Sequence, residues 1–306
     1  MLSIKTNTSA MVALQNLSNT QREMEKTQSR ISTGLRVGSA SDNAAYWSIA
    51  TTMQSDNAAL STVKDALNLG SATIDTANAG LTASKDLVNQ IKTKLVAATQ
   101  PGVDRAKVQD EIGQLQKQLK SVADSASFSG QNWLSVDSAA ASYNPTRSIV
   151  ASFTRDAANA VTIQTIDVDV SKTALFDANG AAGIVDKDRT SGATTASVYA
   201  MDISALTDSA ADLTTLNAYV KIADAALGDI VSASSALGAS KARVATQQAF
   251  VSSLSDAFTK GVGALVDADM TDESTRLQAL QTQQQLGVQA LSIANQGTQS
   301  VLSLFR

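Results

Sequence analysis

Residues 49–95 read IATTMQSDNAALSTVKDALNLGSATIDTANAGLTASKDLVNQIKTKL, and their spacing decides the fold. Ile49, Met53, Asp56, Leu60, Val63, Leu67, Gly70, Ile74, Ala77, Leu81, Ser84, Val88, Ile91 and Leu95 follow one another in alternating steps of four and three. Eleven of these fourteen positions are apolar, which is a coiled-coil seam. The spacing predicts one helix over about 43–98, roughly 80 Å long at 1.5 Å per residue. Ser41 or Asp42 is expected to cap its start. Gln100-Pro101-Gly102 ends it, because a residue before proline is pushed out of helical backbone.

Working outward, Val108, Ile112, Leu115, Leu119, Val122 and Ala126 carry the same steps into a shorter helix closed by Ser129-Gly130. A third seam runs through Leu213, Leu216, Val220, Ala223, Leu227, Ile230, Ser234, Leu237, Lys241, Val244, Gln248, Val251, Ser255, Phe258, Val262 and Leu265. Twelve of its sixteen positions are apolar, so a helix over about 209–260 matches the first in length. The fold class that follows is mainly α. A long antiparallel coiled-coil bundle joins N- and C-terminal arms, and Leu60, Leu67, Ile74, Leu81, Ile91, Leu115, Leu119, Leu227, Ile230, Val251 and Phe258 form its seams. Between the arms, 148–154 and 161–170 are β-branched and partly alternating, with turns at Asn144-Pro145, Asn179-Gly180 and Ser191-Gly192. They predict a small inserted β subdomain without heptads, facing solvent.

The chain ends differ from the seams. Leu14, Leu17, Gln21, Met24, Gln28, Ile31 and Leu35 form one stripe; Leu277, Leu280, Gln284, Gly287, Leu291, Ala294, Thr298, Val301 and Phe305 form another. A second apolar line runs through Leu286, Ala290 and Ile293. A helix apolar on more than one side needs cover from several directions, which copies of the same chain can supply. Residues 277–305 carry no charge but hold eight glutamines and Asn295, and burying nine amides in hydrocarbon is costly, so no membrane span is expected.

Composition removes whole classes of function. Among 306 residues there is no Cys and no His, so disulfides, thiolate or imidazole metal sites, and Ser–His or Cys–His catalysis are excluded. A net charge of −4 argues against a nucleic-acid partner. Asp167, Asp169, Asp177, Asp186 and Asp188 lack EF-hand spacing and read as solvated loop carboxylates. Asp267, Asp269, Asp272 and Glu273 read as N-terminal helix charges, with Thr271 as the expected cap. Lys92 and Lys94 read as a solvated helix face. No enzyme, cofactor or metal is expected. The first twenty residues carry one charge, Lys5, and no signal-peptide core.

Three motifs carry a family resemblance. Residues 32–45, Ser32-Thr33-Gly34-Leu35-Arg36-Val37-Gly38-Ser39-Ala40-Ser41-Asp42-Asn43-Ala44-Ala45, resemble the N-terminal signature of bacterial flagellins. Ala290-Leu291-Ser292-Ile293-Ala294-Asn295-Gln296, with the ending Ser300 to Arg306, resembles their C-terminal signature. Ser127-Phe128-Ser129-Gly130-Gln131-Asn132-Trp133-Leu134 is similar to the turn after their second helix. Tyr46-Trp47-Ser48-Ile49-Ala50 and the closing Phe305-Arg306 resemble the alphaproteobacterial, rhizobial branch.

The resemblance implies a subunit that self-assembles into the helical flagellar filament for swimming motility. It implies three regions: paired terminal helices of the filament core (1–42 plus 267–306), a long-helix bundle (43–135 plus 206–266), and a surface-exposed variable β subdomain (136–205). Leu14, Leu17, Met24, Ile31, Leu35, Leu277, Leu280, Leu286, Leu291, Ile293, Val301, Leu302 and Phe305 become the expected filament-core interface. The implied partners are further copies of the chain, sister flagellins, the flagellar cap, hook-associated proteins and an export chaperone. The implied location is extracellular, reached through the flagellar type III apparatus without a cleaved signal peptide. The alternatives are a hook–filament junction protein, or a surface carbohydrate-binding relative, for which the few central aromatics (Tyr143, Phe153, Phe176, Tyr199) argue poorly.

Overall fold

The computed structural model describes residues 7–156, 160–180 and 182–303, with side chains described as far as Gln296 in the last helix. Two units divide it: residues 1–58 with 255–306, and residues 59–254. The elements in chain order are helices α1 (Thr8–Thr33), α2 (Ala44–Ala98) and α3 (Arg105–Ser125), then the strands, then helices α4 (Ala210–Val266) and α5 (Met270–Ser303). The strands are β1 (Ser127–Phe128), β2 (Gln131–Asn132), β3 (Ser135–Val136), β4 (Thr146–Arg155), β5 (Val161–Asp169), β6 (Phe176–Asp177), β7 (Arg189–Ser191) and β8 (Thr194–Ala196).

The α2 seam holds from Leu60 to Leu95: every one of its positions in that interval is buried. Its N-terminal end departs from the heptad, with Ile49 half exposed and Ala50 buried instead. Along α4 the line Leu216, Ala223, Ile230, Leu237, Val244 and Val251, one residue every seven, is buried throughout. The alternate line is wetter and does a different job. Ser234 donates to Asn78 (2.7 Å), Lys241 pairs with Asp75, and Gln248 donates to Asn68 (3.0 Å). In the terminal unit Ser255 donates to Asn57 (2.6 Å). All four non-apolar positions of the α4 seam therefore bond to α2. The partners run in opposite order along the two helices, which makes the pair antiparallel and pins its register, as polar seam residues do in coiled coils. Lys92 and Lys94, expected to be solvated, pair with Asp224 and Glu111.

On α3 the buried positions are Arg105, Ile112, Gln116, Leu119 and Ala123, so Leu115 is only half-buried and Gln116 takes the interior place. The reason is a bond that an apolar residue cannot make: Gln116 Nε2 donates to the carbonyls of Val198 and Met201, both at 3.1 Å. Arg105 closes the turn after α2. Its Nε donates to the Ala98 carbonyl (3.1 Å) and its Nη2 to Asp208 (2.6 Å). Asp208 also accepts from the Gly102 backbone (3.2 Å). Gly102 itself has φ +80°, a left-handed position that glycine adopts freely.

The strands form four separate two-stranded pairs rather than one sheet. In the hairpin of β1 and β2, Ser129 and Gly130 both have positive φ (50° and 78°), the backbone of a type I′ turn. Asn132 then bonds the carbonyls of Ala123 and Asp124, satisfying the end of α3, and accepts from the amides of Leu134 and Ser135. β4 and β5 form a longer antiparallel hairpin, with a bulge at Ala151. This central segment was expected to face solvent. It does so on one face only: Ile149, Ala151, Ile166, Val168, Val170, Leu175, Val185 and Val198 are buried. Gly70 explains how. A methyl group placed there would meet Ile149 Cγ2 at 2.5 Å, so the glycine in the α2 seam is the gap into which β4 docks.

Two caps differ from expectation. Asn43, not Ser41 or Asp42, caps α2, accepting from Ala45 and Tyr46 (both 3.1 Å). Asp42 instead closes the preceding turn through Gly38 and Ser39. Asp269 caps α5, accepting from Thr271 and Asp272, so Thr271 is a donor there. An Asx side chain one residue before the helix reaches the N2 and N3 amides best.

Two outcomes follow for the monomeric chain. Leu67 is fully buried and Leu227 only half-buried. Leu67→Ala should therefore cost about 2–5 kcal/mol, and Leu227→Ala clearly less, by chemical denaturation. Equal losses would contradict the seam geometry. The Arg105 side chain holds the Asp208 carboxyl below its ordinary 3.8. A lowered carboxyl contributes stability that is present above its unfolded value and is lost as pH falls through the folded value. The melting temperature should accordingly drop on acidification below about pH 4. Asp208→Asn should make that drop shallower, and an unchanged profile would contradict the clamp.

Candidate assembly surface

The terminal unit pairs α1 with α5, also antiparallel. Asn7 donates to the Ala294 carbonyl (2.9 Å), Gln284 to Gln21 (3.0 Å), Arg276 to Glu23 (2.9 Å) and Arg30 to Glu273 (2.9 Å). Gly287 lets the two helices approach: a methyl group there would lie 3.3 Å from Leu17 Cδ1. The face that α1 covers is Ala10, Ala13, Leu17, Thr20, Met24, Thr27 and Ile31, in steps of three and four. Leu14 and Gln28, which share a stripe with Leu17 in the sequence, turn outward by one position, and Gln21, though exposed, meets α5 through its bond with Gln284.

The link after α1 accounts for the 32–45 signature. Gly34 ends α1 in left-handed backbone (φ +71°) while its amide bonds Arg30. Leu35 then bridges to Asp267, and the amides of Arg36 and Val37 donate to the Val266 carbonyl. Val37, Ala50 and Val266 make a small core, with Leu35, Val262 and Leu265 against it.

The residues expected at a filament-core interface thus fall into two groups. Leu280 is buried, and Leu17, Met24, Ile31, Leu35, Leu277 and Leu291 are half-buried within the unit. Leu14 (58% exposed), Leu286 (59%) and Ile293 (69%) remain open. Val301 and Leu302 lie in α5 but their side chains are outside the described residues, as is Phe305. The sequence reading missed other open apolar groups of the same unit: Met11, Val12, Tyr46, Trp47, Met270 and Val288. Their signal was available, since Met11 and Val12 extend the N-terminal stripe and Val288 flanks Leu286. An apolar surface of this kind marks an interaction site. Among the described residues there is no cluster able to hold a metal and no helix long and apolar enough to cross a membrane. Asp186 has one carboxyl oxygen bonded to the Asp177 amide (2.7 Å), and burial pushes its pKa up; its neighbours are loop backbone, which gives it a structural setting.

Paired terminal helices with open apolar faces, attached to an antiparallel coiled coil, define a structural protein built to associate with copies of itself. The comparisons name the family. Residues 4–139 match the model of the bacterial flagellin N-terminal helical region, and residues 220–305 that of the C-terminal helical region. Over the full length of both chains, the sequence is 47% identical to flagellin C of Rhizobium meliloti strain 1021. On the same full-length basis it is 43% identical to flagellin A of Rhizobium meliloti and 43% to a flagellin of Brucella melitensis. The chain belongs to the bacterial flagellin family, of the rhizobial type. It is a structural subunit of the extracellular flagellar filament, and neither the junction-protein nor the carbohydrate-binding alternative is favoured.

The α1–α5 pair supplies a test. Glu273 is nearly buried beside Arg30, with side-chain exposures of 10% and 21%. Arg30→Ala strands a carboxylate and should cost about 3 kcal/mol, whereas replacing both partners by apolar residues should cost much less. Hydrogen exchange of α1 and α5 amides measures both; equal loosening in the two variants would contradict a charge-stranding mechanism.

Proposed function

We propose that the three regions divide the work of assembly. Residues 1–42 with 267–306 form the contact between copies, 43–135 with 206–266 form the bundle around it, and 136–205 face outward. The observation that supports this is the open apolar surface on both α1 and α5, at Leu14, Leu286 and Ile293. The half-buried residues Leu17, Met24, Ile31, Leu277 and Leu291 hold the helix pair together so that these faces are presented in order. The same proposal includes Val301, Leu302 and Phe305, whose side chains lie outside the described residues. The work is mechanical rather than catalytic.

In this reading the chain reaches the outside through the flagellar type III apparatus, without a cleaved signal peptide and accompanied by an export chaperone. It joins other copies and sister flagellins between the hook-associated proteins and the cap.

Substitution at open positions separates assembly from folding. Leu286→Asp and Ile293→Asp sit where the monomer leaves the side chain in water, so each should change monomer stability by less than about 0.5 kcal/mol. Both should abolish or severely weaken polymerisation, read by sedimentation and negative-stain microscopy. Wild-type yields of filament from both variants would overturn the proposal.

A further inference from the structure

Within the unit formed by residues 59–254, a cleft of about 380 Å³ opens between α2, the β1–β2 hairpin and β4. Gly70 and Thr73 line it from α2, Phe128 and Trp133 from the hairpin side, and Arg147 and Ile149 from β4. Its polar chemistry is one-sided. No Asp or Glu lines it, and Arg147 is its only charged group. The Arg147 side chain makes no hydrogen bond or ion pair among the described residues, and its Nε is buried without an acceptor. Trp133 is 3% exposed, and its Nε1 is likewise buried without an acceptor. Indole and guanidinium nitrogens can only donate, so both groups call for the same thing, an acceptor brought from elsewhere. A buried donor left unsatisfied is costly, which makes a chance arrangement of two in one cleft expensive to keep.

A carboxylate fits this set best. It is acceptor-only, it neutralises Arg147, and its two oxygens match the guanidinium fork. Unit 59–254 also presents what such a cleft needs in a neighbour: Asp65, Asp110 and Asp188 are exposed, and their carboxylates make no hydrogen bond or ion pair among the described residues. We propose that the Arg147–Trp133 cleft receives an acidic side chain of a second copy of this chain, and that the site is completed only on assembly. The proposal rests on the filament reading.

The full-length chain tests it, using Arg147→Gln, Arg147→Lys and acetate as a free-carboxylate probe. The expected result is a roughly tenfold rise in the critical concentration for assembly with Arg147→Gln, the size of one hydrogen bond to a charged group. Arg147→Lys should recover only part of it, because a point charge lacks the fork. Neither variant should lower the melting temperature of the monomer. The Trp133 indole N–H resonance, one of only two in the protein, should move between monomer and filament in the wild type and stay put in Arg147→Gln. Acetate that moves this resonance in the monomer, while both variants assemble like wild type, would assign the cleft to a free carboxylate and overturn the second copy as its source. A resonance unmoved by assembly and by acetate would overturn the proposal entirely. So would a lowered melting temperature with unchanged critical concentration, which would make Arg147 a structural residue. A wild-type chain that formed no filaments would sink the assembly reading itself, a failure distinct from these.

Discussion

The antiparallel seam between α2 and α4 is the constraint on which everything else depends. Each helix carries an apolar stripe too long and too narrow to be buried by loops, and only another helix of similar period can cover it. Apolar residues alone would let the two slide by a heptad. The bonds Ser234–Asn78, Lys241–Asp75 and Gln248–Asn68 penalise a slip by one heptad in either direction, because it would break all three together and set Lys241 against Asn68 or Thr82 instead of Asp75. With the register fixed, α3 folds back over α2, Gly70 and Gly80 fall where Ile149 and Leu134 must enter, and the central strands acquire a place to dock.

Much of this was legible in the sequence, and the misses share a cause. Heptad counting located α2, α3 and α4 because burial there repeats with a period that side-chain chemistry reveals. The same counting scored Ser234, Lys241, Gln248 and Gly70 as interruptions. They are the register pins and the docking gap, functions that need a partner residue far away in sequence and so leave no local signal. Leu115 lost its interior place to Gln116 for the same reason, since the Val198 and Met201 carbonyls that reward an amide lie more than eighty residues downstream. The caps were placed within two residues, at Asn43 and Asp269, because neighbouring Ser, Thr, Asp and Asn all offer an acceptor and only the exact entry angle of the chain selects one.

At the termini the sequence conveyed the excess of apolar surface better than its direction. The stripe Leu14–Leu35 mixes residues that face α5 with residues that face away, since alternating steps of three and four describe either of two adjacent lines on a helix. Packing chose the line through Ala10, Ala13 and Leu17, where small side chains and Gly287 allow close approach. That choice leaves larger groups such as Leu14, Leu286 and Ile293 in water. A chain that leaves these exposed while burying alanine and threonine is organised for contacts outside itself. On the proposed reading, the terminal pair is a half-built core that neighbouring copies finish.

Amide hydrogen exchange of the wild-type chain, compared between monomer and filament, tests that claim most directly. The account predicts that α1 and α5 exchange quickly in the monomer, and that their protection rises far more on assembly than that of the α2–α4 seam, which is already complete in one chain. Equal protection of α1 and α5 in monomer and filament would contradict it, because the open faces would then gain nothing from neighbouring copies.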